Sequence, residues 1–264
     1  MKKITVRDIF NYLNQWAPAS LAEEWDPVGL QVGSLKSEVK GVLVSLDVTF
    51  DVLKEAKKKK CNLLITHHPL MGKKEAGSIP ARLAQKSKRE KINILSFHTN
   101  LDSTEEGLND LLASTLKLKK IKALIPSRDK KRPRAGLGRI GEIPPMSFRK
   151  FLSQTSRLLV LKNFRFVGAL QKKIRRVAVM TGSGAGFCRE ALKQKAEVLV
   201  TGDVKYHTAL DALTEGIALV DIGHFAGEIG MMSAVVDRLK TGFHSSIKIW
   251  ESRVQSDPFQ FWPL

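Results

Sequence analysis

The chain has 264 residues, 43% of them hydrophobic, and 44 Lys and Arg against 26 Asp and Glu give a formal net charge of +18. That length holds one large domain or two modest ones with a real core, at the apolar fraction of a soluble globular protein. No apolar run approaches the roughly 18–20 residues that span a bilayer, which excludes a helical membrane protein. The basic balance favours anionic partners but selects none, since a lysine-rich proteome gives the same charge.

The first residues, MKKITVRD, lack the apolar stretch and small-residue cleavage site of a secretory leader. Cys61 and Cys188 stand far apart within helix–strand patterns and read as reduced thiols, not as a disulfide framework. Both features point to the cytoplasm, with no membrane partner.

Taken in order, VRDIFNYLNQW (residues 6–16) has the apolar spacing of an amphipathic helix. A turn leads to WDPVGLQVG (25–33), punctuated by Asp-Pro and two glycines. Residues 42–46 alternate like a strand, and Thr49 is placed to cap a helix over 50–60 that ends in four lysines. Those lysines complement the helix dipole and read as a solvated end. The run LLIT (63–66) then stops at His67, His68 and Pro69, the pattern of a buried strand ending at two imidazoles. Proline biases His68 toward extended backbone, where successive side chains point in different directions. The pair therefore suits two neighbouring ions, or one ion and a supporting role, better than chelation of one ion from one side.

A basic helix over 79–90, a strand over 92–97 and a helix over 107–116 come next, with His98 and Asp102 between the last two. Residues 117–145 change character, with RDKKRPR (128–134), several glycines and Pro144-Pro145, and a domain junction is placed there. The resulting domains are 1–125 and 126–264, with the C-terminal tail packing back on the first. A helix over 148–159 and a strand over 177–180 lead to TGSGAGF (181–187). This glycine-rich segment lacks the Lys-Ser/Thr ending of a P-loop and the dinucleotide spacing, so it reads as a tight strand–helix turn in preference to a phosphate cradle.

VTFDVLKEAKKKKCNLLIT (48–66) and SGAGFCREALKQKAEVLVT (183–201) have the same length and order, a loop, a helix and a strand ending in threonine. Each copy continues to a strand ending near a histidine, His98 or His224. The repeat implies an α/β fold of two similar lobes related by a pseudo-twofold axis. Ligands in open α/β sheets gather beyond the C-terminal strand ends, so facing lobes would share one cleft.

GHFAGE (223–228) comes after an apolar strand over 218–220. If a helix begins there, His224 and Glu228 lie one turn apart on one face, a two-point metal grip. The candidate ligands are thus His67, His68, Asp102, His224 and Glu228, with His98 close by. Three imidazoles and two carboxylates suit zinc, iron, manganese, cobalt or nickel better than magnesium or calcium. His244 stands apart from these motifs and reads as a surface residue.

WDPVGLQVG (25–33), LDVTFDVLKEA (46–56), LLITHHPL (63–70), HTNLDSTEEGLND (98–110), TGDVKYHTALDA (201–212) and GHFAGE (223–228) together resemble the Nif-three-like family. Its members are also called dinuclear metal centre hexameric proteins or GTP cyclohydrolase I type 2 homologues. The resemblance covers nearly the whole chain. It implies a two-lobed α/β subunit in a short form without an inserted domain, a toroidal homohexamer, and two divalent metal ions per subunit. Residue by residue it places His67 and Asp102 on one ion and His68 and His224 on the other, with Glu228 bridging them. His98 and His207 fall in motifs near that site and are the candidates for proton transfer. Gly227 departs from the family pattern, which has a small polar residue before the glutamate, so a supporting hydrogen bond is in doubt while the ligands are not.

The function these readings imply is metal-dependent hydrolysis of a nucleotide-like or other anionic small molecule, the ions lowering the pKa of a shared water. The GTP cyclohydrolase label rests on resemblance alone. The rival readings are a metal carrier without turnover and a nucleic-acid-associated ring.

Overall fold

The computed structural model describes residues 3–71, 75–243 and 246–262, so His244 lies outside the described residues. Packing divides the chain into two units. The first runs from the N-terminus to Leu101 and adds Met231–Ser256; the second is Asp102–Gly230 with the segment from Asp257 onward.

The first unit begins with α1 (Val6–Trp16), whose N-terminus Thr5 and Asp8 close with a reciprocal capping box. The strand β1 (Gly29–Val32) precedes β2 (Gly41–Ser45), α2 (Phe50–Lys58), β3 (Leu63–Thr66), α3 (Ile79–Arg89) and β4 (Asn93–Ser96). Thr49 caps α2 by accepting from the Val52 N–H. β2, β3 and β4 are parallel neighbours in chain order, and every residue of the three is buried. Both faces of this sheet are covered, which is why its strands are continuous apolar runs and not alternating ones.

The helix α4 (Thr99–Ser103) carries the chain into the second unit. There α5 (Leu108–Thr115) leads to a hairpin of β5 (Lys119–Pro126) and β6 (Gly136–Ser147), then α6 (Phe148–Leu158) and β7 (Arg165–Val167). β8 (Lys173–Val179), α7 (Cys188–Lys193), β9 (Val198–Thr201), α8 (Tyr206–Glu215) and β10 (Ala218–Asp221) repeat the β-α-β-α-β path, and α9 (His224–Glu228) ends the unit. The sheet order is β5-β6-β8-β9-β10-β7, with β8, β9 and β10 parallel. Alternation along each strand feeds two cores. Val177, Val179, Val198, Val200 and Val220 join Phe148 and Phe151 on one side, and Ala178, Met180, Leu199 and Leu219 join Cys188 and Ala212 on the other.

The chain then returns to the first unit through α10 (Met231–Phe243) and β11 (Lys248–Glu251), which pairs in parallel with β2. Ser252 and the Arg253 N–H bind the buried Glu55 carboxylate of α2 and fasten this return.

The two α/β units with matching β-α-β-α-β paths are the architecture the internal repeat implied, and no further domain interrupts the described residues between them. The packing boundary falls elsewhere than the 125/126 junction read from composition. The glycines, prolines and charges of 117–145 mark the β5–β6 hairpin, an edge of the second sheet, not a linker. Phe259 and Trp262 of the tail are exposed.

Candidate metal-binding groups

Every candidate ligand sits just past the C-terminal end of a parallel strand or on the helix after it. In the first unit these ends carry Asp47 after β2, His67 and His68 after β3, and His98 after β4. The three imidazoles form one cluster. Their ring centroids lie 5.1 Å (His67–His68), 5.0 Å (His67–His98) and 5.4 Å (His68–His98) apart, and one ring nitrogen from each falls within 4.8 Å of the others. His67 and His68 are turned to different partners, as extended backbone requires, yet each offers a nitrogen to the shared space.

The partners fix the ring chemistry. His67 Nδ1 lies 2.9 Å from the Phe97 carbonyl oxygen, which can only accept, so the proton sits on Nδ1 and the lone pair on Nε2. His68 Nδ1 lies 2.7 Å from Asp47 Oδ1, and His98 Nδ1 lies 3.1 Å from Asp26 Oδ1. A carboxylate or carbonyl on Nδ1 is the arrangement that orients a metal-binding histidine and raises its basicity at Nε2. Asp26 is itself buried. Burial pushes its carboxyl up, but hydrogen bonds from His98 and Thr99 outweigh that and hold it below the usual carboxylate range. Trp25, 60% exposed, stands edge-on to His98 with centroids 5.9 Å apart.

In the second unit, α9 begins at His224, and the expected one-turn spacing is realised: His224 Nε2 lies 3.0 Å from Glu228 Oε2. The opposite nitrogen, Nδ1, lies 2.7 Å from Asp203 Oδ2, at the end of β9. Glu228, only 3% exposed, hydrogen-bonds the ring and is the main reason its pKa is pushed up to about 9; burial opposes the shift and Asp203 adds to it. Glu228 reaches this position because the chain leaves room for it. Gly182, at φ +61°, comes after β8, and a Cβ there would sit 2.3 Å from Glu228 Oε1. The glycine-rich segment 181–187 is thus a tight turn whose missing side chain admits a carboxylate.

Asp102 is buried in the same unit. Its Oδ1 accepts from the Thr181 hydroxyl at 3.0 Å, and Asn109 donates to its carbonyl at 3.1 Å and accepts from the Thr181 N–H. Thr181 and Gly182, adjacent in sequence, therefore contact Asp102 and Glu228 respectively. His207 is exposed on the first turn of α8 against Tyr206, centroids 5.4 Å apart, and joins neither group among the described residues. At Gly227 a Cβ would meet only ordinary contacts, the nearest at 3.6 Å. The site tolerates a small side chain there without needing one.

The supporting residues Asp26, Asp47, Asp203, Thr181 and Asn109 were not singled out from sequence. The signal that could have found three of them is an aspartate just past a strand end or in a Pro-Gly turn, inside a motif already noted. Histidine nitrogens with carboxylates, and no cysteine among them, are the donor set of a borderline divalent ion such as zinc, iron, manganese, cobalt or nickel. Cys61 and Cys188 are buried, and burial pushes both thiols up to about 11, so they stay protonated and inert.

Strand-end histidines, each with Nδ1 against a protein oxygen, give this two-unit α/β protein groups that could hold a metal ion. The comparisons then give the family. Residues 4–258 match Duf34/NIF3 (NGG1p interacting factor 3), and the chain belongs to that family. A "GTP cyclohydrolase 1 type 2 homolog" of Clostridium acetobutylicum is 33% identical over 98% of this chain and 99% of its own length. Among solved structures, hypothetical protein SA1388 of Staphylococcus aureus superposes with TM-score 0.88 at 30% identity, over 98% of this chain and 100% of that one. A Bacillus cereus protein related to NIF3 superposes with TM-score 0.89 at 25% identity, over 99% of this chain and 100% of that one. No helix among the described residues is long and apolar enough to cross a membrane.

Proposed function

We propose that this chain is a hydrolase that holds two divalent ions and acts on a nucleotide-like or other anionic small molecule. His67 and Asp102 hold one ion, His68 and His224 the other, and Glu228 is shared between them. The observation that carries this reading is the common posture of four histidines. His67, His68, His98 and His224 all present Nδ1 to a protein oxygen, at 2.9, 2.7, 3.1 and 2.7 Å. Rings oriented so keep Nε2 as the nitrogen that can give its lone pair to an ion, in exchange for any proton it carries. When bound, two ions lower the pKa of a water toward neutrality and make a nucleophile available.

The chain's own residues supply the rest. His98, set by Asp26, moves a proton to or from the reacting group. His207, exposed beside Tyr206, is the less favoured carrier of the two. Trp25 offers a flat, exposed face beside His98 on which a planar heterocycle can stack. The name of the Clostridium relative supports a cyclohydrolase-type ring opening as the first chemistry to test. The ring-shaped homohexamer belongs to the same proposal, supported by Tyr206, Leu210 and Leu213, which expose apolar surface along one face of α8.

The test is a substrate screen on metal-replete protein with nucleotides, phosphoesters and cyclic amides, with metal content and molar mass measured in parallel. His68→Ala and Glu228→Ala should abolish turnover and lower bound metal while the molar mass stays unchanged. Wild-type protein that keeps its metal but releases no product from any class would sink the hydrolase and leave a metal carrier.

A further inference from the structure

The loop 127–135 at the tip of the β5–β6 hairpin contributes no residue to the candidate metal-binding groups among the described residues. It carries Arg128, Lys130, Lys131, Arg132 and Arg134 against one acid, Asp129, so nine residues hold four of the chain's eighteen net positive charges. Asp129 offsets one of the five. Its carboxylate accepts from the Lys131 N–H at 2.9 Å, inside the turn. Arg128, Lys130 and Lys131 are exposed and make no ion pair among the described residues. Arg134 faces Glu105 across 4.0 Å.

The loop is ordered by the protein beneath it. Ser127 N–H donates to Ala135 O at 2.9 Å, Arg132 N–H to Asp129 O at 3.0 Å, and Ala135 N–H to Arg132 O at 3.0 Å. Below, the buried Arg139 donates to the carbonyls of Gly136, Gly138 and Thr104 at 2.7–2.8 Å and pairs with both oxygens of Asp110 through Nε and Nη2. Gly136, at φ +146°, lets the strands close: a Cβ there would lie 2.1 Å from Ile125 O. A cation-rich loop left to self-repulsion would extend. This one is held folded, with Arg128, Lys130, Lys131 and Arg134 facing solvent.

The lysines of β5 itself have another explanation, since Lys119, Lys120 and Lys122 guard an unpaired sheet edge against strand addition. The loop tip has no such edge to guard. It also contains no aromatic and no large apolar residue, so it can neither stack on bases nor anchor in lipid.

We infer that this hairpin tip is a docking site for the phosphodiester backbone of a nucleic acid, bound without sequence preference. An ordered array of cations matches a polymer with fixed phosphate spacing, whereas a fluid anionic leaflet rewards a disordered basic tail equally well. A two-stranded ribbon also fits the width of the duplex DNA major groove, which makes duplex DNA the first polymer to try.

The experiment measures binding of the full chain to two unrelated 20-base-pair DNA duplexes, a single-stranded RNA and phosphatidylglycerol vesicles across a salt series. The variants are R128S/K130S/K131S and a charge-matched control, K36S/K40S/K58S. Wild type should bind both duplexes alike, with affinity falling steeply in salt. The loop variant should flatten the slope of log K against log salt by about 2–3, roughly 0.9 for each phosphate that the loop neutralises in wild type, and each single substitution by about 1. The control should leave the slope within about 1 of wild type, and thermal midpoints should agree throughout. RNA bound with the same loop dependence supports the same site. Equal loss in loop variant and control, vesicle binding without nucleic-acid binding, or no binding at all would overturn it.

Discussion

His68 and His224 invite comparison because each is held through Nδ1 by an aspartate 21 residues earlier, at the same 2.7 Å. Both pairs reach across neighbouring parallel strands, from β2 to β3 for Asp47 and His68, and from β9 to β10 for Asp203 and His224. The spacing is one β-α-β repeat, which sets acid and base side by side at adjacent strand ends. Yet the pairs occupy different steps of the repeat. In the first unit the acid ends the first parallel strand, and in the second it ends the second. The chain beyond each histidine also differs. His68 precedes Pro69 and lies among two other imidazoles, whereas His224 opens a helical turn that brings a second carboxylate, Glu228, to its other nitrogen. One unit thus carries an imidazole-rich group, and the other a histidine with a carboxylate on each ring nitrogen.

The largest expected effect comes from removing a proposed ligand from either group. Glu228→Ala should cost at least one equivalent of bound metal, measured by elemental analysis after dialysis, and so should His67→Ala. If only Glu228→Ala loses metal, the imidazole cluster is a set of packed core histidines and the comparison breaks.

Next come the two braces. Asp47→Asn and Asp203→Asn keep size and a hydrogen-bond acceptor but remove the charge behind the imidazole, and each should weaken metal binding about 10–100-fold in a competition titration. Equal losses would say that the 21-residue pairs do one job in both units. A loss confined to Asp203→Asn would make His68 a residue that needs no charged support.

These braces are the part of the site that the sequence does not make legible. His67 and His68 were legible because an apolar strand ended at them and proline came next. His224 and Glu228 were legible because helical periodicity alone puts i and i+4 on one face. The matched repeats gave the two α/β units, and Thr49 gave the start of α2. The aspartates were not legible as supports. Asp26 lies 73 residues from Thr99, to which it bonds, and only the antiparallel pairing of β1 with β4 brings that turn to the strand end. The alignment of the repeats set Asp203 opposite His68, whereas in the fold it serves His224. Hairpin β5–β6 reads as a junction in sequence because glycine, proline and charge mark any exit from regular structure, a sheet edge as much as a linker.

A smaller effect separates two glycines near Glu228. Gly182→Ala forces a Cβ toward Glu228 Oε1 from a left-handed backbone, costing about 1–2 kcal/mol for the conformation alone. The variant should fold with a lower thermal midpoint and bind metal more weakly, because the carboxylate must move. Gly227→Ala meets no contact nearer than 3.6 Å and should leave metal binding unchanged. If the two variants behave alike, the turn does not place Glu228.

The smallest effect is in proton affinity. In metal-free protein His224 should titrate near 9 against an ordinary value of 6.5, chiefly through its hydrogen bond to Glu228. A pKa raised on folding means the folded state holds the proton more tightly. The stabilising contribution is therefore complete below about 6.5 and is lost as pH rises through about 9. Ring-proton shifts tracked by NMR across that range check it directly. Glu228→Gln should lower the midpoint more than Asp203→Asn, since Glu228 is the leading cause and Asp203 the lesser one. A metal-free His224 titrating at its ordinary value would mean that neither carboxylate engages the ring in solution, and His68 and His224 would then differ in nothing but their neighbours along the chain.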